Sequence, residues 1–594
     1  MSIQFTPTLQ TLQMNPNVAW SNSWFSVPNT QGTPLYAQAV FPVNASGAGN
    51  TYVEFGKRNK SVVGAAKVSL SQNIYEADFE YGLQPLRWEI FTSSQYGTAT
   101  VKQLPGMGGV LMQILSGGDV TIRQSRPYHR YQPGKSMYMA TATNFGGPYG
   151  GQYQRVGFFD DANGMFFEQG TPASTLNSTT SSVLGLSYVA AVSSGVYATS
   201  GINTTGLNTS LSANNPAGIY VCWRSDINPY AFTGTSTNSI YTDYKISFDQ
   251  WSDPSGIKNS INWNDNQMLW LEYSWYGAGC LRWGVLLGGE PYILHEQTMG
   301  NLQQFAWSRT GNLPVRYEQR DTTFSNTSAN FMHYGVSVIV EGQRDPQRGF
   351  TYAYGNSATV AVPANRTSIP LMSFRPRTMG VIEYNSSYAP ITSNPAPTNN
   401  FIAFSGSNWA TNQLVGRAIY FPSLSSTTYP NGYTAKISAN NTNSISFVDV
   451  VTLSSIPFTP TAGAPYQIGL IDRGQILPQD MFITSNGTAL VQLIASTPTN
   501  PVKLTGANFQ PLSASGSTYS FAELDLNATA VTGGEVVYGF LTPAAGTVQD
   551  VNLQNFFPLY NNIRGNTPDI LTVAVTTTQA VTAGVHIVGQ EAMS

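Results

Sequence analysis

Residues 263–318 read WNDNQMLWLEYSWYGAGCLRWGVLLGGEPYILHEQTMGNLQQFAWSRTGNLPVRYE, and the pattern of this stretch is the strongest indication of the fold. Its first part places apolar side chains at every second position, which predicts a strand. These alternating residues are Leu269, Leu271, Tyr273 and Trp275. A break at 276–279 turns the chain into a second predicted strand at 281–287.

The pair Gly288-Gly289 supplies the positive φ that a two-residue hairpin turn requires. A third predicted strand follows at 291–296 and carries His295, and Pro314 favours an extended entry into another strand. Glu272 and Arg282 are placed to face each other across the first turn as a cross-strand pair. The stretch therefore predicts a β-meander, rich in Trp and Tyr, at the centre of a β-sandwich.

This stretch and two upstream runs also carry a pattern of single residues. The upstream runs are RPYHRYQPGK at 126–135 and GFFDDANGMFFE at 157–168. Across roughly residues 50 to 380, the pattern resembles that of a family of uncharacterised structural (virion) proteins of tailed phages. The residues that we take as its motif are Arg126, Tyr128, Arg130, Tyr131, Gly134, Lys135, Trp270, Glu272, Trp275, Gly277, Gly279, Arg282, Gly284, His295, Asn312, Leu313, Pro314, Arg316 and Glu318.

The resemblance implies a virion component and no particular chemical reaction. The meander is also similar to the concanavalin-like jelly roll, which is an analogy at the level of the fold. We therefore expect a mostly β chain whose N-terminal unit is a β-sandwich of the jelly-roll or lectin-like type. One or two smaller β-sandwich or barrel domains are expected to follow it.

Composition limits the function classes. Charged residues make up only 10% of the 594 residues and aromatic residues 12%, which favours sheets and disfavours disorder. The 28 Lys and Arg nearly balance the 31 Asp and Glu, so no basic surface for nucleic acid is expected. No apolar run is long enough for a membrane span, and the N-terminus does not resemble a signal peptide. We expect a protein made in the host cytoplasm and located in the virion, without membrane partners.

Shifts in composition predict the domain boundaries. We expect an N-terminal arm at 1–50, a large β-sandwich at 51–385, a β domain at 401–500 and a C-terminal β domain at 501–594. A linker rich in Pro, Ser and Asn lies at 386–400. Residues 170–218 form an insert almost entirely of Ser, Thr, Asn, Gly, Ala and short aliphatics, without any charge. We interpret that insert either as a protruding hairpin that contacts another subunit or the surroundings of the particle, or as a flexible surface excursion.

The sequence contains few residues in patterns typical of metal binding or catalysis. The four histidines lie far apart in sequence, and neither Cys222 nor Cys280 has a partner at zinc-ligand spacing. The acidic turn at 160–164 lacks the EF-hand spacing for calcium. Glycoside hydrolysis requires a pair of carboxylates. Several Asp and Glu residues lie scattered around the meander, but the Arg residues near them favour structural ion pairs. We therefore expect no metal, no cofactor and no enzymatic activity.

Two functions remain. The first is a structural virion protein that assembles with copies of itself and other virion proteins through sandwich packing, the arm and the insert. The alternative is a tail or head-fibre adhesin that binds host surface glycan through the face rich in Trp and Tyr or through the insert. The run at 123–135, rich in Arg and Tyr, reads as a contact patch or as side chains that cover a core edge.

Overall fold

The structure is a computed structural model, which describes residues 20–28, 34–42, 60–62, 71–93, 99–147, 152–170, 186–190, 218–234, 239–276, 279–299, 305–321, 328–342, 349–356, 359–422, 429, 432–512, 520–542, 548–554 and 556–592. Within the predicted arm, β1 (Trp20–Pro28) and β2 (Pro34–Pro42) pair antiparallel in a sheet of their own. The docking of this segment on a neighbour stays a prediction.

The described residues between 60 and 342 form a first sandwich of sixteen strands and three single-turn helices. The helices are α1 (Tyr230–Thr233) and two 3-10 turns at Phe248–Gln250 and Lys258–Ser260. The strands are β3 Gln72–Ala77, β4 Trp88–Ser93, β5 Thr100–Leu104, β6 Gly109–Ile114, β7 Val120–Ser125, β8 Met137–Asn144, β9 Gln152–Phe159, β10 Gly164–Gln169, β11 Leu186–Ala190, β12 Ile219–Ser225, β13 Tyr241–Ser247, β14 Gln267–Tyr273, β15 Cys280–Leu287, β16 Glu290–Thr298, β17 Val315–Asp321 and β18 Ala329–Val340.

These strands form two sheets that pack face to face. One sheet, which we call the charged sheet, has the order β11-β13-β12-β10-β9-β17-β7-β4, and the other, the meander sheet, has the order β16-β15-β14-β8-β18-β6-β5 with β3 also on β18. Alternate residues of both sheets meet in one core, such as Phe158 and Phe167 from the first and Leu271 and Trp283 from the second. This alternation is the period of two that the sequence shows.

The predicted meander is present, with one difference. Strands β14, β15 and β16 are consecutive neighbours, and Gly288 and Gly289 turn the chain with φ of 59° and 84°. Glu272 faces Arg282 across β14 and β15, as expected. The strand that follows Pro314 does not extend the meander, because β17 crosses the core and joins the charged sheet between β9 and β7.

The remaining strands form two further units. They are β19 Phe350–Gly355, β20 Val360–Val362, β21 Asn365–Pro376, β22 Met379–Asn385, β23 Phe401–Ala403, β24 Ala418–Phe421, β25 Tyr433–Asn441, β26 Ser444–Asp449, β27 Gln467–Ile471, β28 Gln475–Ser485, β29 Leu490–Ala495, β30 Lys503–Thr505, β31 Gln510–Pro511, β32 Ala522–Asp525, β33 Ala530–Thr532, β34 Glu535–Leu541, β35 Val548–Asn552, β36 Leu571–Thr577 and β37 Val581–Ala592.

A second sandwich combines strands from before and after an insertion. Its sheets have the orders β19-β37-β28-β35, with β20 on β37, and β31-β32-β21-β36-β29-β34. Phe374, Leu493, Val573 and Ile587 lie in the core between them. The inserted unit, residues 379–471, is the single sheet β22-β27-β24-β25-β26-β23 around its own core.

The fold class expected from the sequence, mostly β with an N-terminal sandwich and smaller β units after it, is confirmed. The strand pairings do not follow the expected domain boundaries. Strands at 350–376, assigned to the 51–385 unit, pair with strands after residue 475. The expected linker at 386–400 belongs to the inserted unit, where Ala389 and Ile391 are buried in the core. Antiparallel pairing at long sequence distance leaves no local mark in composition.

The expected insert at 170–218 falls largely outside the described residues. Its described internal strand, β11, runs parallel to β13 at the edge of the charged sheet. Its contact with another subunit therefore stays a prediction.

Candidate functional site

The outer face of the charged sheet, away from the core, carries a network of buried ion pairs. Arg155 Nε donates to Glu168 at 2.7 Å, and its Nη1 donates to Glu318 at 3.2 Å. The strand register places these three residues side by side on β9, β10 and β17. The network also contains Arg224 with Asp243 at 2.7 Å, Lys245 with Glu168 at 2.5 Å and Arg316 with Asp161 at 2.7 Å.

Two carboxylates of this network, those of Glu318 and Glu168, are held ionised. Burial by itself raises the pKa of Glu318, but Arg316, Arg320 and Arg155 outweigh it and hold that pKa well below its ordinary value. The pKa of Glu168 is lowered in the same way, since Lys245 and Arg155 outweigh its burial. A general acid requires a raised pKa. This network is therefore arranged to join strands, not to supply a proton.

The outer face is closed by the two other units. Val450 and Val451 of the inserted unit and Ile563 of the second sandwich pack on Val120 and Ile122 of β7. Arg320 also donates to the Val451 carbonyl at 2.9 Å. The ion pairs thus lie at an interface between units.

A joint of polar contacts ties the first sandwich to the other two units. Arg126 Nη2 contacts both carboxylate oxygens of Asp569 at 2.7 Å, and both side chains are buried. The backbone N–H of Ile563 donates to Glu89 at 2.8 Å. Asn228 donates to the Val415 carbonyl of the inserted unit at 3.2 Å. We call this set of contacts the joint.

Beside the joint, the first and second sandwiches enclose a half-open cavity of about 610 Å³. The first sandwich contributes one wall and the segments around residues 475 and 557 contribute the other. The cavity lies beside an exposed surface at Leu86 and Arg87. Its lining residues are Ile74, Tyr75, Gln84, Pro85, Leu86, Arg87, Pro127, Tyr128, His129, Gln475, Leu477, Phe557, Pro558 and Tyr560.

The motif residues at 126–135 and 312–318 gather around the joint. Arg126 belongs to it, and the Tyr128 hydroxyl lies 3.3 Å from Asp160 Oδ2. Arg316 and Glu318 belong to the ion-pair network. The Tyr131 N–H donates to Asn312 Oδ1 at 2.8 Å.

Other residues of these two runs have backbone roles. The Leu313 carbonyl accepts from the His129 N–H at 3.0 Å, and the Pro314 carbonyl accepts from the Phe159 N–H at 3.1 Å. Gly134 has a φ of 78° in a turn closed by the Lys135 N–H. Arg130 is half-buried. In this run Arg123 is also buried, with its guanidinium carbon 4.1 Å from the centre of the Phe79 ring. The run therefore covers a core edge.

The motif residues of the meander lie on the other sheet, away from the joint. Arg282 pairs with Glu296 at 2.7 Å and with Glu272 at 3.4 Å. Ser252 donates its N–H to His295 Nδ1 at 3.0 Å, and burial lowers the pKa of His295 to about 4. Trp270 stacks on Tyr138.

Two more motif residues lie near the end of β14, on either side of the break in the described residues. Trp275 donates to the Ser308 carbonyl at 2.8 Å, and the Gly279 carbonyl accepts from the Met299 N–H at 2.9 Å. Gly277 lies outside the described residues. The motif thus occupies several places in the first sandwich and does not converge on one site.

The joint and the cavity beside it also contain residues that the sequence did not single out. These are Asp569 and Glu89 of the joint and Tyr560 and Phe557 of the cavity, and Asp569 is 443 positions from Arg126. No local pattern marks them. Within the described ranges, no group of three His, Cys, Asp or Glu residues is arranged to hold a metal ion, and no helix is long and apolar enough to cross a membrane. Cys222 and Cys280 are buried free thiols.

Comparison with known proteins shows a shared type of fold. No family model and no curated protein matches the sequence. Among solved structures, the chain is similar to a glycosyl hydrolase family 16 protein from Mycobacterium smegmatis (9% identity, 45% of this chain and 100% of that chain, TM-score 0.23). It is also similar to an endo-1,3-beta-glucanase from Streptomyces sioyaensis (12%, 46% and 97%, TM-score 0.25) and to lectin I-B4 from Griffonia simplicifolia (13%, 45% and 99%, TM-score 0.19).

These neighbours correct one expectation. The prediction that the chain has no enzymatic activity is wrong, because glycoside hydrolases are among the similar structures. The prediction relied on missing catalytic motifs, yet similar sandwiches occur in hydrolases and in lectins. At these identities the likeness concerns the fold alone, and the substrates of those proteins are not transferred to this chain.

Proposed function

We propose that this chain is a structural component of a tailed-phage virion, where it binds copies of itself and other virion proteins. The motif that resembles the phage family supports this proposal through its position. Arg126 lies at the contacts between units through Asp569, and Tyr128 does so through Arg473, whose guanidinium carbon is 5.1 Å from the centre of its ring. Arg316 and Glu318 lie in the ion-pair network beside them. Those contacts join the three units, and a subunit of fixed shape suits repeated packing.

The observation that carries the proposal is an open edge of the second sandwich. Among the strands that the structure describes, β34 is the last of one sheet and β35 the last of the other. On β34, Val536 is 55% exposed, Tyr538 43% and Leu541 65%, and Val548 of β35 is 63% exposed. An apolar edge strand with free backbone groups pairs readily with another chain. The occupant that we propose is the same edge of a second copy, or a strand of a neighbouring virion protein.

Mass spectrometry of purified particles tests this function. The chain is quantified relative to the major shell protein with isotope-labelled peptides. A ratio near one would indicate a lattice or decorating role on the capsid, and a small fraction would indicate a neck, tail or fibre part. Absence of the chain from the particles would overturn the proposal.

A second candidate is an adhesin that binds host surface glycan. The aromatic-lined cavity between the two sandwiches favours it, because its volume lies within the range of about 300–1,000 Å³ typical of small-molecule sites. The test is binding of the purified chain to a broad glycan panel and to intact host cells. A negative result in both would remove this candidate and leave the assembly role standing.

A further inference from the structure

We propose that the cavity between the first and second sandwiches binds a saccharide unit that carries a carboxylate. This inference rests on the second candidate function and names its site and ligand class. The aromatic rings, the charge of the lining and the rigidity of the walls each support it.

The aromatic rings come from both walls. Tyr75 and Tyr128 of the first sandwich and Tyr560 of the second are largely buried in these walls, whereas Phe557 of the second sandwich is half-buried and is the most accessible of the four rings. The C–H faces of a sugar ring pack favourably against the faces of aromatic side chains, while sugar hydroxyls require hydrogen-bond partners. Gln84 and Gln475 line the same space and each can donate and accept. The lining thus offers both an aromatic surface and hydrogen-bonding groups for a saccharide.

The charge of the lining selects the kind of saccharide. Arg87 is the residue of the lining that carries a full positive charge, and Asp and Glu are absent from these fourteen residues. Its guanidinium lies over the Tyr75 ring at 4.7 Å from the centroid and donates through Nη2 to the Glu76 carbonyl. This hydrogen bond occupies one edge of the Arg87 guanidinium. Because a guanidinium binds a carboxylate through parallel N–H donors, an acidic sugar matches it better than a neutral one.

The joint holds the two walls in place. Asp569 pairs with Arg126 and also accepts from the Tyr560 N–H at 3.0 Å. The same bonds that tie the sandwiches together therefore fix one aromatic wall. A preformed cavity loses less conformational entropy when it binds a ligand.

The test uses the full chain and two matched probes. The first probe is a hyaluronan tetrasaccharide, in which glucuronate alternates with N-acetylglucosamine, and the second is the same molecule with its carboxylates reduced to alcohols. Saturation-transfer NMR and calorimetry measure the binding of each. We expect the acidic probe to bind about tenfold more tightly than the reduced probe.

Three variants locate the site. Arg87→Gln is expected to abolish the preference for the acidic probe, and Phe557→Ala is expected to weaken both probes. Lys503→Gln removes the same charge from an exposed strand that does not line the cavity, and it should leave binding unchanged. Circular dichroism checks that each variant is folded.

Two results would overturn the inference. Equal affinity for the two probes, or no binding of either, would exclude the acidic saccharide. Binding that survives both Arg87→Gln and Phe557→Ala would place the ligand elsewhere. Host-cell binding that Phe557→Ala leaves intact would keep the adhesin candidate and reject only this site.

Discussion

At the scale of the residue, close packing decides which side chain a position accepts. Gly284 lies opposite Trp270 in the pairing of β14 with β15. A Cβ atom there would come 2.1 Å from Trp270 Cε2 and 2.3 Å from the Tyr292 carbonyl oxygen. Neither neighbour can retreat easily, because Trp270 stacks on Tyr138 and the carbonyl belongs to the backbone of β16. The glycine of the motif is thus a requirement of packing.

Gly284→Ala is therefore expected to destabilise the protein by about 1–3 kcal/mol, the usual cost of overpacking a core. Gly106→Ala is the matched control, since its added Cβ meets no atom within 4 Å. Chemical denaturation compares the two variants with the parent chain. Equal stability of the two variants would contradict the packing argument.

Glu89 makes the joint sensitive to pH. Burial raises the pKa of its carboxyl to about 7, although Arg126 opposes the shift. The folded protein therefore keeps a proton that the unfolded chain releases near pH 4.5, and the contribution of this group to stability falls as pH rises from about 4.5 to about 7.

Glu89→Gln is expected to be more stable than the parent chain at pH 8 by about 1–3 kcal/mol, and similar to it near pH 4. The amide keeps an oxygen that can accept from the Ile563 N–H. Denaturation curves at both pH values measure the difference. A difference that does not change with pH would show that Glu89 titrates normally.

At the scale of the element, edge strands differ in how they are protected. Strand β22 is the edge of the inserted sheet, and its Glu383 pairs with Arg417 at 2.7 Å. Strand β34 exposes apolar side chains along most of its length, with a single charge at Glu535 where it begins. Charged side chains on an edge discourage pairing with another chain. Strand β34 is thus less protected against pairing with another chain than β22 is.

Leu541→Lys is expected to weaken self-association at least about tenfold, because two copies paired through β34 would bury or oppose the added charges. Ser386→Lys adds the same charge at an exposed position of the inserted unit and serves as the control. Sedimentation velocity over a range of concentrations measures association. Equal association of the two variants would show that β34 is not the contact.

At the scale of the whole molecule, buried charge joins the units. Arg126 and Asp569 belong to different sandwiches and are both buried. The charge of each is therefore compensated by the charge of the other. Removing one partner leaves an unpaired charge in the interface, whereas replacing both with apolar residues removes the charge entirely.

Arg126→Met is expected to cost about 3–5 kcal/mol, and the double variant Arg126→Met/Asp569→Leu is expected to recover a large part of that loss. Thermal unfolding with hydrogen exchange shows whether the second sandwich separates from the first. If the double variant were as unstable as the single one, the unpaired charge of Asp569 would not be the cause of the destabilisation.

Much of the fold could be predicted because strands and turns are encoded locally. Alternation at Leu269, Leu271 and Tyr273 reflects the two faces of one strand, and Gly288-Gly289 meets the φ requirement of one tight turn. The pair Glu272–Arg282 was predictable for the same reason, since a hairpin sets its register. The sequence alone thus determined a mostly β chain centred on a sandwich.

How the units meet depends on long-range contacts that the sequence pattern does not reveal. The crossing of β17 to the charged sheet, the insertion of residues 379–471 into the second sandwich and the pair Arg126–Asp569 all join positions far apart in the chain. A strand pattern in the sequence predicts that a strand pairs with another but does not identify that partner. In the same way, the sequence around a charged residue does not identify the residue of opposite charge that it pairs with. The joint and its cavity exist because long-range packing brought those residues together.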